Sequence, residues 1–168
     1  MEWTGARYRD KPTVEADIWI DAPPSRVWDI VTDVDLMPTM SDELQRVEWL
    51  EGATGPVVGA RFNGYSKHEA LGEWHSTSHV IEYEPGHVFA WAVSDPDDPS
   101  AMWRFRVQSK DGGTQLSQWM QLGPGRSGLS FAIDRMPEKE QKIVFVRLRE
   151  FERSIALTLE QIKKLAER

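Results

Sequence analysis

Histidines and carboxylates are the groups through which this chain could do acid–base or metal chemistry. It has four histidines and no cysteine. Thiolate nucleophiles, disulfides and Cys-ligated metals are therefore excluded. His75 and His79 stand four apart, a spacing that pairs metal ligands on a helix. The residues around them alternate as a strand does, which puts the two rings about 13 Å apart at ~3.3 Å per residue. They cannot share one ion. No spacing nominates a third ligand for His68, and no metal is expected. Asp95, Asp97 and Asp98, with Pro96, Pro99 and a serine around them, read as a solvated turn, because an acid–base carboxylate needs an apolar niche. Gly123-Pro124-Gly125-Arg126-Ser127-Gly128 matches G-x-G-x-x-G after a strand. A dinucleotide site also needs a helix opening at once and a further parallel strand, and neither follows. No cofactor is expected; the glycines instead shape a loop that folds over something. The segment also lacks the second glycine of a nucleophile elbow around Ser127.

The residue type that stands out is Trp, with eight copies in 168 residues. Each indole has a large apolar body and one N–H that needs a partner when buried. A cluster of them packs a core or lines a site for a flat ligand. Which of the two applies depends on the elements that carry them.

Val14, Ala16, Ile18 and Ile20 alternate with polar residues, the period of a strand. Pro23-Pro24 ends it and opens a short helix, and a second short helical turn is expected around Met37–Leu44. Strands follow at 47–50, 61–68, 74–84, 87–93, 102–107 and 114–122, joined by tight turns such as Asp111-Gly112-Gly113. Asp95–Pro99 reads as a plain loop. Leu148, Phe151, Ile155, Thr158, Ile162 and Leu165 repeat every three or four residues, which marks a long amphipathic helix opened by Pro137. Residues 1–12 read as a mobile lead-in and 13–168 as one domain, in keeping with the length. The fold class is α+β: a curved antiparallel sheet of about seven strands around the C-terminal helix. A twisted sheet is concave and a helix is straight. Unless large side chains fill the middle, a cavity remains between them.

Alternation assigns the inner face of that sheet. It places Phe62, Gly64, Ser66 and His68 inward on one strand. Trp74, Ser76 and Ser78 face in on the next, where a one-residue slip would substitute His75, Thr77 and His79. Phe89 and Trp91 follow, then Trp103 and Phe105, then Gln118 and Met120. Phe151 faces them from the helix and Phe131 from the glycine-rich segment. These residues are the candidate ligand contacts. The alternative is that Trp74, Trp91 and Trp103 only pack a core against Phe151 and Ile155. Inward serines and Gln118 favour the cavity, because a dry core would leave them unsatisfied. Arg147 lies beside the apolar stripe and is expected to pair with Glu150 or Glu140.

The order of elements resembles the START-like superfamily, also called SRPBCC or helix-grip, which includes the birch pollen allergen. The resemblance covers about residues 13–166. It is carried by I-D-A-P-P-S-R-V-W-D at Ile20–Asp29, G-A-R-F at Gly59–Phe62 and W-H-S-T-S-H-V-I-E-Y-E-P-G at Trp74–Gly86. F-A-W at Phe89–Trp91, W-R-F-R-V at Trp103–Val107 and G-G-T-Q-L at Gly112–Leu116 add to it. The tail L-G-P-G-R-S-G-L and the helix after it are similar to actinobacterial proteins classed as polyketide cyclase/dehydrase. The resemblance implies a cavity for a lipid, a polyketide or another small hydrophobic molecule. It implies no single reaction. A cyclase or aromatase holding a polyketide-like chain by positioning is the first alternative, with His68 or Tyr65 as proton carrier. A protein-interaction or regulatory module using outward Trp19 and Trp119 is the second.

The net charge of −7 disfavours nucleic-acid and anionic-membrane partners. No apolar run reaches the ~18 residues of a membrane span. A cytoplasmic monomer or homodimer that binds a small hydrophobic molecule is expected.

Overall fold

The first alternating stretch forms β1 (Thr13–Ile20), whose Val14 and Ile20 are buried. Pro23-Pro24 turns the chain into α1 (Pro24–Val31), which buries Val27, Trp28, Ile30 and Val31. A 3₁₀ helix at Val34–Met40 completes the pair of short helices. β2 (Leu44–Trp49), β3 (Arg61–His68), β4 (Gly72–Glu84), β5 (Val88–Asp95), β6 (Asp98–Lys110) and β7 (Gly113–Leu122) follow. This computed structural model describes all 168 residues.

All seven strands lie in one sheet in the order β1-β7-β6-β5-β4-β3-β2, and every pair is antiparallel. The last six form a meander, and β1 returns to pair with β7. Asp111 and Gly112 join β6 to β7 with φ of 49° and 77°. Positive φ at both central residues is the mark of the primed turns that match strand twist. The Asp95–Pro99 segment, expected as a plain loop, is a tight hairpin: β5 runs to Asp95, β6 starts at Asp98, and those two residues pair. Here backbone pairing overrides the two prolines, since Pro99 accepts through its carbonyl and needs no N–H.

The amphipathic stripe near the C-terminus forms α3 (Glu140–Ala166), entered through a 3₁₀ turn at Pro137–Lys139. Val144, Leu148, Ile155, Leu159 and Ile162 are its buried residues of apolar type along one side. α3 packs along β1 and against α1. At the far side of the curved sheet it no longer touches the strands directly, and side chains bridge the gap.

The glycine-rich segment is only partly loop. Ser127 caps α2 (Gly128–Arg135), where Ser127 and Ser130 satisfy each other's backbone N–H groups. Gly125 explains one of the glycines: a Cβ there would come within 2.0 Å of the Asp98 carbonyl oxygen. The loop backbone lies directly on the β5–β6 hairpin, where Gly125 N–H donates to Pro99 O at 2.8 Å. Within residues 1–12, Tyr8–Asp10 form a 3₁₀ turn and the Tyr8 ring is buried. The Tyr8 hydroxyl donates to Gly125 O at 2.6 Å and lies 3.0 Å from Ser127 Oγ. Burial raises the Tyr8 pKa and outweighs the lowering effect of its bonds to Ser127 and Ser130.

Candidate functional site

A cavity of about 560 Å³ lies between the concave face of the sheet and α3. Its aromatic wall is continuous. Trp91 and Trp103 stand side by side on paired strands, their rings nearly parallel at 14° and 6.4 Å between centroids. Phe62 meets Trp91 edge-on at 6.0 Å, and Phe151 closes on Trp103 from α3 at 5.5 Å. Polar side chains are interspersed with the aromatic ones: Ser66, Ser76, Ser78 and Gln118 from the sheet and Ser154 and Thr158 from α3, with Ser41, Ser94, Ser100 and Ser127 and the charged residues described below. Gln118 is 5% exposed and its Oε1 has no hydrogen-bond partner in the protein.

Phe62, Ser66, Trp74, Ser76, Ser78, Trp91, Trp103, Phe105, Gln118, Phe131 and Phe151 all line the cavity. Phe89, Met120 and His68 do not. Phe89 and Met120 are on the inner face but fully buried in the core. They lie where neighbouring side chains close over the sheet. His68, at the end of β3, is turned aside by a specific bond described below.

The β4 register is a mixed result with a clear cause. Trp74, Ser76, Ser78 and Val80 do face inward, paired across to Ser66, Gly64, Phe62 and Trp91 respectively. A bulge between Val80 and Glu82 then flips the parity. Ile81 is 39% exposed, and Tyr83 turns inward to meet Trp28 at 5.8 Å.

The sequence places Phe151 on the helix side of the site but does not nominate Arg147, Ser154 or Thr158 as contacts there. Arg147, Phe151, Ser154 and Thr158 follow one another at spacings of four, three and four, and all four line the cavity. Phe151 and Thr158 belong to the apolar stripe, and Arg147 and Ser154 flank it on the cavity side. Met37, Met40 and Glu43, from the 3₁₀ helix and the turn after it, complete this end. Nothing local in the sequence signals that they meet α3. The exposed rim residues are His75, Ser94, Arg126, Gly128 and Phe131. Phe131 is 64% exposed, with the Arg126 guanidinium 5.5 Å from its ring centroid.

A clasp of charged groups joins α3 to the sheet beside the cavity. Arg147 donates twice to Glu43, at 2.6 and 2.9 Å, and once to Glu150 at 2.9 Å. Its guanidinium lies 4.3 Å over the Phe151 ring. The expected Glu150 pairing is present; Glu140 instead binds Arg7 and the Tyr8 N–H. Burial acts to lower the Arg147 pKa, and the bonds and charge of Glu43, with those of Glu150, overcome it, so the net direction is up. Glu150 Oε2 lies 2.6 Å from His68 Nε2. His68 Nδ1 lies 3.0 Å from the Ala70 N–H and 3.2 Å from that of Leu71, so it accepts from the β3–β4 turn. Its proton is therefore on Nε2, donated to Glu150.

Glu43, His68 and Glu150 bring ligand atoms within 4.8 Å of one another, close enough for a cation. The donor set does not suit one. Arg147 already occupies the place between the carboxylates, and a metal on Nε2 would put the imidazole proton on Nδ1, against the two N–H groups that donate to it. Tyr65 points away from the cavity, donating to Glu48 at 2.8 Å and stacked on His75 at 5.6 Å. On the outer face, Trp119 is half-buried under the Arg104 guanidinium at 4.6 Å. Trp19 is 38% exposed, and its indole N–H donates to Lys110 O at 2.9 Å.

The sequence profile of a family described as polyketide cyclase/dehydrase and lipid transport matches residues 11–149. The chain belongs to this family. A Polyketide_cyc-like protein from Corynebacterium glutamicum, solved in solution, is 29% identical over 91% of this chain and 90% of that one, with a TM-score of 0.64. The Zhui aromatase/cyclase from Streptomyces sp. R1128 is 19% identical, covers 94% of each chain and has a TM-score of 0.66. The di-domain aromatase/cyclase StfQ of the steffimycin biosynthetic pathway is 14% identical with a TM-score of 0.73; the match covers 95% of this chain and 52% of that one. At these lower identities the likeness shows the helix-grip fold alone. No protein of curated function matches the chain. No helix is long and apolar enough to cross a membrane.

Proposed function

We propose that this family member binds a small hydrophobic molecule in the cavity between sheet and α3. One observation carries the reading: a space of about 560 Å³ remains between the sheet and α3, walled by Phe62, Trp91, Trp103 and Phe151. A packed core fills such a space with side chains. Ligand sites of this kind are apolar with a few placed polar groups. The candidate contacts are the lining residues named above; Phe89 and Met120 are buried on the same face of the sheet, and His68 is bound to Glu150. Titration with aromatic and aliphatic probes, read by quenching of Trp91 and Trp103 fluorescence, tests it. Saturable quenching is expected in the protein and is expected to weaken at least about fivefold in Trp103→Ala. Absence of any binding below about millimolar would remove the reading.

The family description and the aromatase/cyclase folds support a second reading, cyclisation by positioning. The aromatic wall would hold a reactive chain folded. Neither proposed proton carrier faces the cavity, because His68 is bound to Glu150 and Tyr65 to Glu48. His75 reaches the rim, but its ring is stacked on outward-facing Tyr65.

A further inference from the structure

Charge is placed unevenly along the cavity lining. Its Asp, Glu, Lys and Arg residues are Glu43, Arg126 and Arg147. The Arg147 side chain is 8% exposed and fully engaged, donating twice to Glu43 and once to Glu150. A ligand anion could take it only by breaking those bonds in a buried setting, which is costly. Arg126 is different. Its side chain is 64% exposed at the rim, with the Phe131 ring beside it. Its ion-pair partner, Asp134, is 57% exposed and lies outside the lining. Exposed pairs of this kind are worth little, because water solvates both partners when they part. Arg126 can therefore exchange Asp134 for another carboxylate at small cost. A guanidinium can offer a carboxylate two parallel N–H bonds, and Asp134 takes one, from Nη2. Further in, the walls are Phe62, Trp91, Trp103 and Phe151. The cavity is thus apolar within and carries a replaceable cation at its mouth.

We infer that the cavity takes an amphiphile, with its apolar body against the indoles and a carboxylate head held at the mouth by Arg126. The inference rests on the binding reading above. Two probes share one chain and differ in the head: decanoate, anionic at pH 7, and decanol, uncharged. Calorimetric titration at about 0.1 M salt screens charges more than about 10 Å away, so the net charge of −7 does not mask a contact at the rim. Decanoate is expected to bind about threefold tighter than decanol. In Arg126→Gln that preference is expected to vanish while decanol binds as before. In Asp134→Asn, which frees the guanidinium, decanoate is expected to tighten about twofold with decanol again unchanged. Both side chains are exposed, so neither substitution is expected to disturb the fold. Decanoate no tighter than decanol in the unaltered protein, or a preference that survives Arg126→Gln, overturns the inference and leaves the cavity reading standing. Failure of both probes, together with failure of aromatic ones, overturns both.

Discussion

Replacing Arg147 with Met keeps the apolar stem against Phe151 and deletes only the charge. The guanidinium side chain is 8% exposed and makes three hydrogen bonds to Glu43 and Glu150. Bonds to charged groups are worth about 1.5–3 kcal/mol each when measured singly. They are not additive here, and the two carboxylates are 27% and 24% exposed, so solvent screens part of the loss. Deletion also leaves two carboxylates facing each other. The combined cost is about 3 kcal/mol, toward the lower end for a broken buried pair. For a domain of this size ~1 kcal/mol moves Tm by about 2–4 °C, so a fall of about 9 °C is expected. Thermal melts followed by circular dichroism at neutral pH and low salt measure it. Adding Glu43→Gln and Glu150→Gln to the Met variant should recover more than half of the loss, because no uncompensated charge then remains. A single variant that melts within about 2 °C of the parent would refute the argument that the clasp holds α3 to the sheet.

Gln118→Leu removes an unsatisfied buried oxygen and should raise the stability of the ligand-free protein by about 1 kcal/mol, as measured by urea unfolding. Gly125→Ala places a methyl against the Asp98 carbonyl and should unseat the loop before α2, read as faster hydrogen exchange at the Gly125 N–H and a Tm loss of several degrees, about 2 kcal/mol. Tyr8→Phe removes the hydroxyl that tethers that loop. Because the folded-state pKa of Tyr8 is raised, its contribution is fully present below the unfolded value of 10.0 and is lost as pH rises through the folded value. The parent should therefore lose stability above about pH 10 more steeply than Tyr8→Phe, as followed by melts from pH 8 to 11.

The strands and α3 were legible because their signals are local. Val14 to Ile20 alternate, Asp111-Gly112 dictates a primed turn, and the stripe from Leu148 to Ile162 repeats at helical spacing. Each needs only neighbouring residues to be read. Inward-facing Trp91, Trp103, Phe105 and Gln118 followed from the same alternation. Where alternation breaks, the sequence carries no mark: the bulge that turns Ile81 outward and Tyr83 inward depends on how β4 seats against β5. Depth is equally invisible. Phe89 and Trp91 share a face, and only the curvature of the sheet decides that one is core and the other wall.

The order of elements, the curved sheet, the helix across it and the aromatic character of the space between them were set by the residues alone. Of the partners of Arg147, Glu150 was legible three residues on, but Glu43 was not, because it lies 104 positions away, nor was the bond of His68 to Glu150 across 82. Nor were the protonated nitrogen of His68, the seat of Gly125 on the β5–β6 hairpin, or the burial of Tyr8. Periodicity reports which side of an element faces inward. Charge balance and closure of a cavity depend on which distant side chains finally touch, and that is decided only when the chain has folded.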